Sequence, residues 1–244
     1  MTEKPFEGTI KYRHPSLGYL TVVMSRSYRH VTGRWTKGMA RVSMPPVRED
    51  EMRRLVDNMA PRLLARRPDT PDFSPDRVIE APGIRISFAV SGAPVMTAKA
   101  DFRRSDSLIE CVITYGGAID LSLGHHQKFL SKFVLSACGR MWPYVILPRA
   151  EAIARDLCGK KLEWRMGTGT RTLGSCSSRG VITLSQALVL MPQELRDYVI
   201  KHELAHLVEF NHQAGFHDLL NRYCDGRERE YEKMLKNFSW PIVR

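Results

Sequence analysis

The chain has 244 residues, of which 43% are hydrophobic and 26% charged. This composition is typical of a globular protein with a sizeable core, and it excludes a disordered or fibrous chain. Lys and Arg outnumber Asp and Glu to give a net charge of +11, which permits an anionic partner such as nucleic acid without establishing one.

The sequence predicts a soluble, cytoplasmic protein with no membrane partner. Its five cysteines are widely spaced and form no Cys-x-x-Cys pair, which favours a reducing compartment. The N-terminus has acidic residues where a signal peptide carries basic ones. No run of about 18 apolar residues follows that could cross a bilayer.

The first third of the chain is predicted to combine short strands with one helix. Residues 19–23 and 39–43 are β-type stretches separated by basic, Gly-containing turns, and they predict a small β meander. Residues 47–64 carry apolar side chains at helical spacing after an acidic start, which predicts a helix. We expect Pro61 to kink or end it. Residues 67–76, rich in Pro and Asp, predict a linker or a long surface turn.

The remaining elements are predicted from the same two periodicities. In chain order they are strands over 84–90 and 109–115, helices over 127–141 and 148–157, strands over 161–166 and 170–176, a hairpin turn over 177–180, a return strand over 181–184, and a long helix from about Pro192. Gly159 is placed to cap the second of these helices.

A cluster of histidines carries the clearest chemical signal. His202 and His206 belong to His-Glu-Leu-Ala-His, which matches the His-Glu-x-x-His pattern. Positions i and i+4 of a helix lie about 40° apart around its axis, so both imidazoles can reach one metal ion. Glu203 is then placed to activate a water on that metal. The alternative is that both are partly buried helix histidines without a metal.

His212 is the predicted third ligand. It cannot reach the same ion if the helix continues, so we predict a turn at Phe210 and Asn211, because Asn tolerates left-handed conformations. Three imidazoles with an open fourth position are the arrangement of a catalytic zinc. Glu209 stays an alternative ligand because it returns to the ligand face of the helix. It is otherwise an acceptor for a ligand N–H group or a solvated helix end.

A family resemblance joins this cluster to the preceding strands. The residues that carry it are Thr170–Ser177, Ile182–Ser185, Tyr198–Leu207, Asn211, His212 and Phe216. They closely resemble the YgjP-like zinc metallopeptidases, which are related to the SprT-like and WLM-type proteases. The family usually has Trp, Asn and Trp where Leu173, Ser185 and His217 stand here, and these departures affect the shape of the cleft.

The resemblance implies an α+β fold in two parts. Residues 1–120 form a basic β-rich region with one helix, and residues 121–244 form a zincin-like metallopeptidase domain with a small antiparallel sheet packed on the His-Glu-x-x-His helix. It implies one Zn²⁺ per chain held by His202, His206 and His212. Glu203 is the implied general base for hydrolysis of a peptide bond by a zinc-activated water.

The implied substrate is a protein or peptide bound as an added strand along the segment of Arg171 to Cys176. The group that stabilises the oxyanion stays open among Arg171, Tyr198 and His217. His217 is otherwise a surface helix residue, and we interpret Cys176 as a packing residue.

Other functions stay open at this point. A DNA-associated, SprT-like protease would be recruited through the basic N-terminal region. A non-catalytic zinc-containing scaffold or nucleic-acid-binding protein, and hydrolysis of a non-peptide amide, are further alternatives. Residues 1–68 carry a net charge of +8 and the rest of the chain only +3, so the basic excess belongs to the N-terminal region. We interpret it first as a solvated face and second as a recruiting surface for an anionic partner.

Overall fold

The computed structural model describes residues 6–36, 39–66 and 71–243. The chain forms two compact units, of which the smaller consists mainly of Met1–Asp72 with Ile119–Phe129, and the larger of Phe73–Ala118 with Leu130–Ile242. Strands and helices occur in both, which confirms the predicted mixed α+β class. The proposed catalytic-domain boundary at residue 121 stays a prediction.

The smaller unit is built on a four-stranded sheet. Its strands are β1 (Gly8–His14), β2 (Gly18–Met24), β3 (Thr32–Thr36) and β4 (Met39–Met44). The predicted strands correspond to β2 and β4, but the predicted meander is wrong. The spatial order is β1-β2-β4-β3, with β2 parallel to β4, because the chain passes to the far edge to form β3 before β4 fills the gap.

Helix α1 (Glu49–Ala65) covers one face of this sheet. It starts with the predicted acidic first turn and passes through Pro61 to end at Ala65, so Pro61 does not end it as expected. The indole of Trp35 on β3 donates to the Leu63 carbonyl at 2.8 Å, which ties the helix to the sheet edge. Of the predicted linker, residues 67–70 lie outside the described residues, and 71–76 contain no helix or strand.

The larger unit contains a second sheet of β5 (Val78–Ala81), β6 (Ile84–Ser91), β7 (Ala98–Arg104) and β8 (Ile109–Gly116) in the order β5-β6-β8-β7. The predicted strands are β6 and β8. Helices α2 (Gly124–Val145) and α3 (Leu147–Cys158) follow. Gly159 caps α3 as predicted, since it has φ 62° and its N–H donates to the Arg155 carbonyl.

A third, three-stranded sheet precedes the histidine cluster. It consists of β9 (Trp164–Gly167), β10 (Gly174–Cys176) and β11 (Ile182–Ser185) in the order β10-β11-β9. The hairpin turn at 177–180 is confirmed, with Gly180 at φ 77°. The sheet is mixed rather than antiparallel as expected: residues 168–173 carry the chain from one edge to the other, so β9 pairs parallel to β11.

A 3-10 helix (Gln186–Leu190) leads into α4 (Gln193–Ala205), followed by α5 (Ala214–Tyr223) and α6 (Glu228–Lys236). Strands β10 and β11 contact α4, and so do α5 and α6. The helix predicted from about Pro192 is therefore present, with Pro192 at its N-cap. Among the described residues, no helix combines the length and apolar character needed to span a membrane.

The buried side chain of Arg196 holds the first turn of α4 in place. Its guanidinium donates to the Leu188, Val189 and Pro82 carbonyls at 3.0, 2.6 and 2.8 Å. Burial lowers the pKa of Arg196 to about 10, so the group stays a cation at neutral pH. This cation links α4 to the 3-10 helix and to the turn between β5 and β6.

Candidate metal centre

The structure brings three of the predicted residues together. His202, His206 and His212 each offer a ring nitrogen, and these nitrogens lie within 4.8 Å of one another. The Nε2 atoms of His202 and His212 are 3.1 Å apart. Two nitrogens bound to one tetrahedral zinc are about 3.4 Å apart, given Zn–N bonds of about 2.1 Å. The spacing of the imidazoles therefore matches that of ligands to a single ion.

The chain begins to turn earlier than the sequence predicted. Helix α4 ends at Ala205, and the amides of Val208 and Glu209 both donate to the Ala205 carbonyl, at 3.0 and 2.9 Å. A first turn therefore follows at His206, the C-cap of the helix. The chain bends again over residues 211–213, where the Gln213 amide donates to the Asn211 carbonyl at 2.8 Å, so the predicted bend at Asn211 is present. Among the described non-glycine residues only Asp225 has a positive φ, so Asn211 does not adopt the left-handed conformation that its residue type tolerates.

This early turn also orients the second imidazole. Nδ1 of His206 lies 3.1 Å from the main-chain carbonyl oxygen of Glu209. Because a carbonyl only accepts, Nδ1 carries the proton and Nε2 keeps its lone pair. An N–H of this kind held by a carbonyl is the usual support of a metal-binding histidine.

Phe216, a fully buried residue in the first turn of helix α5, lies against all three imidazoles. Its ring centroid is 4.9, 4.5 and 4.6 Å from those of His202, His206 and His212. The ring is nearly parallel to that of His206, at an interplanar angle of 28°. A rigid apolar surface thus restricts the positions of the three rings.

The surroundings favour the neutral form of two of the imidazoles, those of His202 and His212. Burial lowers the pKa of His202 to about 4, assisted by the neighbouring charges of His206, His212 and His217. Burial also lowers the pKa of His212, with contributions from His206 and His217. Neutral imidazole is the form that binds metals.

Glu203 is buried beneath strand β10, with an exposed fraction of 5%. A Cβ atom added to Gly174 on this strand would lie 2.4 Å from Oε1 of Glu203 and 2.6 Å from its Cγ. The strand can approach this close only because residue 174 has no side chain. Burial raises the pKa of Glu203 to about 7. A carboxyl group with such a pKa can accept and release a proton near neutral pH.

Glu209, the alternative third ligand, does not join the three histidines. Its carboxylate does not belong to the group of ring nitrogens. A Cβ added to Gly215, in the first turn of α5, would lie 3.2 Å from Oε1 of Glu209. An acid at this position is favourable beside the positive end of a helix. The main-chain carbonyl of Glu209 accepts from the N–H of His206, whereas the sequence predicted that its side chain would contact a ligand N–H or the metal.

The three candidates for oxyanion stabilisation differ in burial and in partners. His217 is exposed, and its Nδ1 pairs with Glu228 Oε1 at 2.6 Å. Tyr198 is buried between His202 and Tyr231, at ring distances of 6.2 and 5.8 Å, and burial raises its pKa to about 12. Arg171 is exposed in the connection between β9 and β10.

The remaining predicted residue, Cys176, ends strand β10 and is half-buried. Burial raises the pKa of its thiol, and the charge of Glu203 adds to this effect. All five cysteines are free thiols.

Gly174 and Phe216 are the two site residues that sequence reasoning did not single out. Both stand in the segments that carried the family resemblance, but neither has a titratable group to draw attention. For Gly174, the signal available was a glycine inside a predicted strand, which marks a close approach of the backbone to something else.

The site and the comparison with family models together define the class, which is a metallopeptidase. The matching family model is the YgjP-like metallopeptidase domain over residues 34–238, and the chain belongs to this family. It is therefore a hydrolase acting on peptide bonds, and the family implies a metal ion, usually zinc.

Two solved structures among those that match are metallopeptidase zymogens. Abylysin of Pyrococcus abyssi is 26% identical, with a TM-score of 0.33, and the match covers 37% of this chain and 93% of that one. Jannalysin of Methanocaldococcus jannaschii is 24% identical, with a TM-score of 0.31 and coverage of 37% and 96%. The comparison with curated proteins gives no match.

Proposed function

We propose that this protein is a zinc-dependent peptidase in which His202, His206 and His212 hold one Zn²⁺ and Glu203 is the general base. The observation that carries the proposal is the convergence of three imidazole nitrogens, with a buried carboxyl group of pKa about 7 on the residue next to His202.

The residues present fit a zinc ion on chemical grounds. Three nitrogen donors are a usual ligand set for catalytic zinc, and they leave a fourth position open. The Nδ1 of His206 is already engaged by a carbonyl, so its Nε2 is free to bind. When bound, zinc supplies Lewis acidity, which polarises a carbonyl and acidifies water.

Glu203 moves the protons in the proposed reaction. Its carboxylate accepts a proton from the water that attacks the peptide carbonyl carbon, and it later donates that proton to the nitrogen of the leaving amine. Gly174 holds the carboxyl group from the side of β10, and burial keeps its pKa near the pH at which both transfers occur. The products are a carboxylic acid and an amine.

The proposed substrate is an extended peptide bound to strand β10. This strand is an edge of its sheet, and its outer edge pairs with none of the described strands. A peptide added there gains main-chain hydrogen bonds that tolerate many sequences. Val208 and Phe210, each 61% exposed in the segment between two of the histidines, give apolar surface for substrate side chains.

The first test replaces Glu203 by Gln, which keeps the shape of the side chain and removes its basicity. Casein hydrolysis should fall to the level of a chelator-treated sample, while the zinc content stays at that of the wild type. Full activity in Glu203→Gln would exclude the proposed base. A wild-type protein that binds zinc but cleaves neither casein nor model peptides would instead favour the non-catalytic alternative.

The second test assigns the ligands by metal analysis of purified variants. His202→Ala, His206→Ala and His212→Ala should each lose most of their zinc, and Glu209→Ala should keep it, because only the main chain of Glu209 contacts a ligand. Zinc loss in Glu209→Ala together with retention in His212→Ala would reverse the choice of third ligand.

A further inference from the structure

The sheet of the smaller unit has a strongly basic face that the proposed peptidase site does not use. Helix α1 packs on the opposite face, where Leu20, Val22, Ala40 and Val42 are buried. Alternation along each strand turns the intervening residues away from the helix. We call this second surface the outer face of the N-terminal sheet. Its described side chains are Thr9, Lys11, Arg13, Thr21, Val23, Thr32, Arg34, Thr36, Arg41 and Ser43.

Three cations of the outer face lie in one row across all four strands. Lys11 pairs with Thr21, Thr21 with Arg41, and Arg41 with Arg34. Adjacent strands are about 4.8 Å apart, so the row from Lys11 to Arg34 is about 14 Å long. The next row, at Thr9, Val23, Ser43 and Thr32, adds three hydroxyl groups.

These cations are not neutralised within the described part of the chain. Lys11 and Arg34 are exposed, and neither they nor Arg41 form a hydrogen bond or ion pair with a described residue. Nε of Arg41 is buried yet has no acceptor among the described residues. Arg13 differs, because its charge helps to lower the pKa of Asp120, and we therefore leave it out of the proposed contact set.

We propose that the outer face of the N-terminal sheet binds the phosphate backbone of nucleic acid through Lys11, Arg34 and Arg41. Each strand of a duplex presents a phosphate about every 3.4 Å of rise, so a 14 Å row of cations spans several phosphates, by order of magnitude about four. Serine and threonine hydroxyls, as in the adjacent row, are common additional contacts to phosphate. Among the described side chains of this face, the cations and hydroxyls are the groups that would contact phosphate.

The same features argue against a membrane as the partner. Proteins that lie on a lipid surface combine basic residues with apolar side chains that enter the acyl region. Val23 is the single hydrophobic residue among the described side chains of the outer face, and it is half-buried on an interior strand. The described side chains of this face are thus mainly cations and hydroxyls.

The test measures binding of the full chain to a labelled single-stranded oligonucleotide and to its duplex, by fluorescence anisotropy over a range of salt. The test variant carries Lys11→Gln, Arg34→Gln and Arg41→Gln. A matched control carries Arg54→Gln, Arg62→Gln and Arg66→Gln, which removes the same charge from exposed positions at the helix α1 side. Anionic phosphatidylserine vesicles are the competing probe, and thermal unfolding of each variant checks folding.

Wild type should bind nucleic acid with a steep salt dependence. The test variant should bind about tenfold or more weakly at physiological salt, with the slope of log K against log salt reduced by about 2 to 3. The control should change the slope by less than about 1. If the triple variant unfolds, Arg34→Gln alone on the edge strand should still lower the slope by about 1.

Absence of salt-dependent binding by wild type would overturn the proposal, as would equal losses in the test and control variants. Binding to the vesicles in place of nucleic acid would also overturn it, in favour of a membrane. The outcome is independent of the peptidase proposal, because Glu203→Gln should bind nucleic acid as wild type does.

Discussion

At the scale of single residues, the contact between Gly174 and Glu203 gives a sharp prediction. A methyl group at position 174 would lie 2.4 Å from Oε1 of Glu203, which is too close for a non-bonded carbon and oxygen, so the strand or the carboxyl group must shift. A displacement of this size at a group that transfers protons lowers the catalytic rate much more than it lowers the stability of the fold. We expect Gly174→Ala to lower kcat/KM for a peptide substrate by about tenfold to a hundredfold.

The neighbouring loop offers a matched control for this substitution. A Cβ at Gly169 would have as its nearest contact the Thr172 carbonyl oxygen at 3.7 Å, an ordinary van der Waals distance. Gly169→Ala should keep its activity, and both variants should keep their zinc, since neither glycine belongs to the group of imidazoles. Equal activity of Gly174→Ala and wild type would show that the position of Glu203 is not limiting.

At the scale of elements, Arg196 connects the helix of the histidines to its supports. Replacing Arg196 by Met keeps much of the volume but removes this donor from the Val189 and Pro82 carbonyls, while the Leu188 carbonyl keeps its bond from the Met191 amide. Buried groups that lose a charged hydrogen-bond partner cost about 1.5–3 kcal/mol each before relaxation. We expect Arg196→Met to lower the free energy of unfolding by about 3 kcal/mol or more, measured by urea denaturation.

Arg149 provides the comparison for that measurement, because it binds the adjacent residue Asp197 from the surface. Its guanidinium makes contacts of 2.9 and 2.6 Å to the carboxylate, yet its side chain is 47% exposed. Exposed ion pairs contribute about 0–1 kcal/mol. Arg149→Met should therefore have a small effect, and a loss as large as that of Arg196→Met would argue against burial as the reason.

The strands show which elements of the sheets can be predicted from the sequence. The predicted strands of the two four-stranded sheets are β2, β4, β6 and β8, which are the interior strands, and all four edge strands were missed. Interior strands are covered by neighbours and carry apolar residues in a clear pattern. An edge strand such as β3, with the sequence Thr-Gly-Arg-Trp-Thr, meets solvent and needs no such pattern.

The candidate site also has features that depend on neighbouring residues in the sequence and features that depend on tertiary packing. The pairing of His202 with His206 follows from the pitch of a helix, and it can be read from the sequence. The contacts of Phe216 with the imidazoles and of Gly174 with Glu203 depend on how α5 and β10 pack on α4. Spacing along the chain does not encode this packing, so the sequence could not specify it.

At the scale of the whole molecule, the basic N-terminal segment and the candidate metal centre fall in different compact units. The net charge of residues 1–68 is +8, and the proposed nucleic-acid contacts all belong to the smaller unit. The three imidazoles and Glu203 belong to the larger unit, and residues 69–244 as a whole carry a net charge of only +3. The basic composition is therefore an argument about recruitment and gives no reason to expect an acidic substrate at the peptidase site.

This division predicts which residues should lose protection from hydrogen exchange when the metal is removed. A zinc ion held by His202, His206 and His212 would connect the end of α4 to the segment that leads into α5. A metal that binds only the folded state stabilises the folded protein, and this stabilisation grows with the logarithm of the metal concentration. Treatment with a chelator should raise amide hydrogen exchange across residues 193–223 and leave β1, β2, β3 and β4 unchanged. The His206→Ala variant should show the faster exchange from the start and no response to the chelator. Protection of residues 193–223 that is the same with and without metal would mean that the three histidines do not bind the ion.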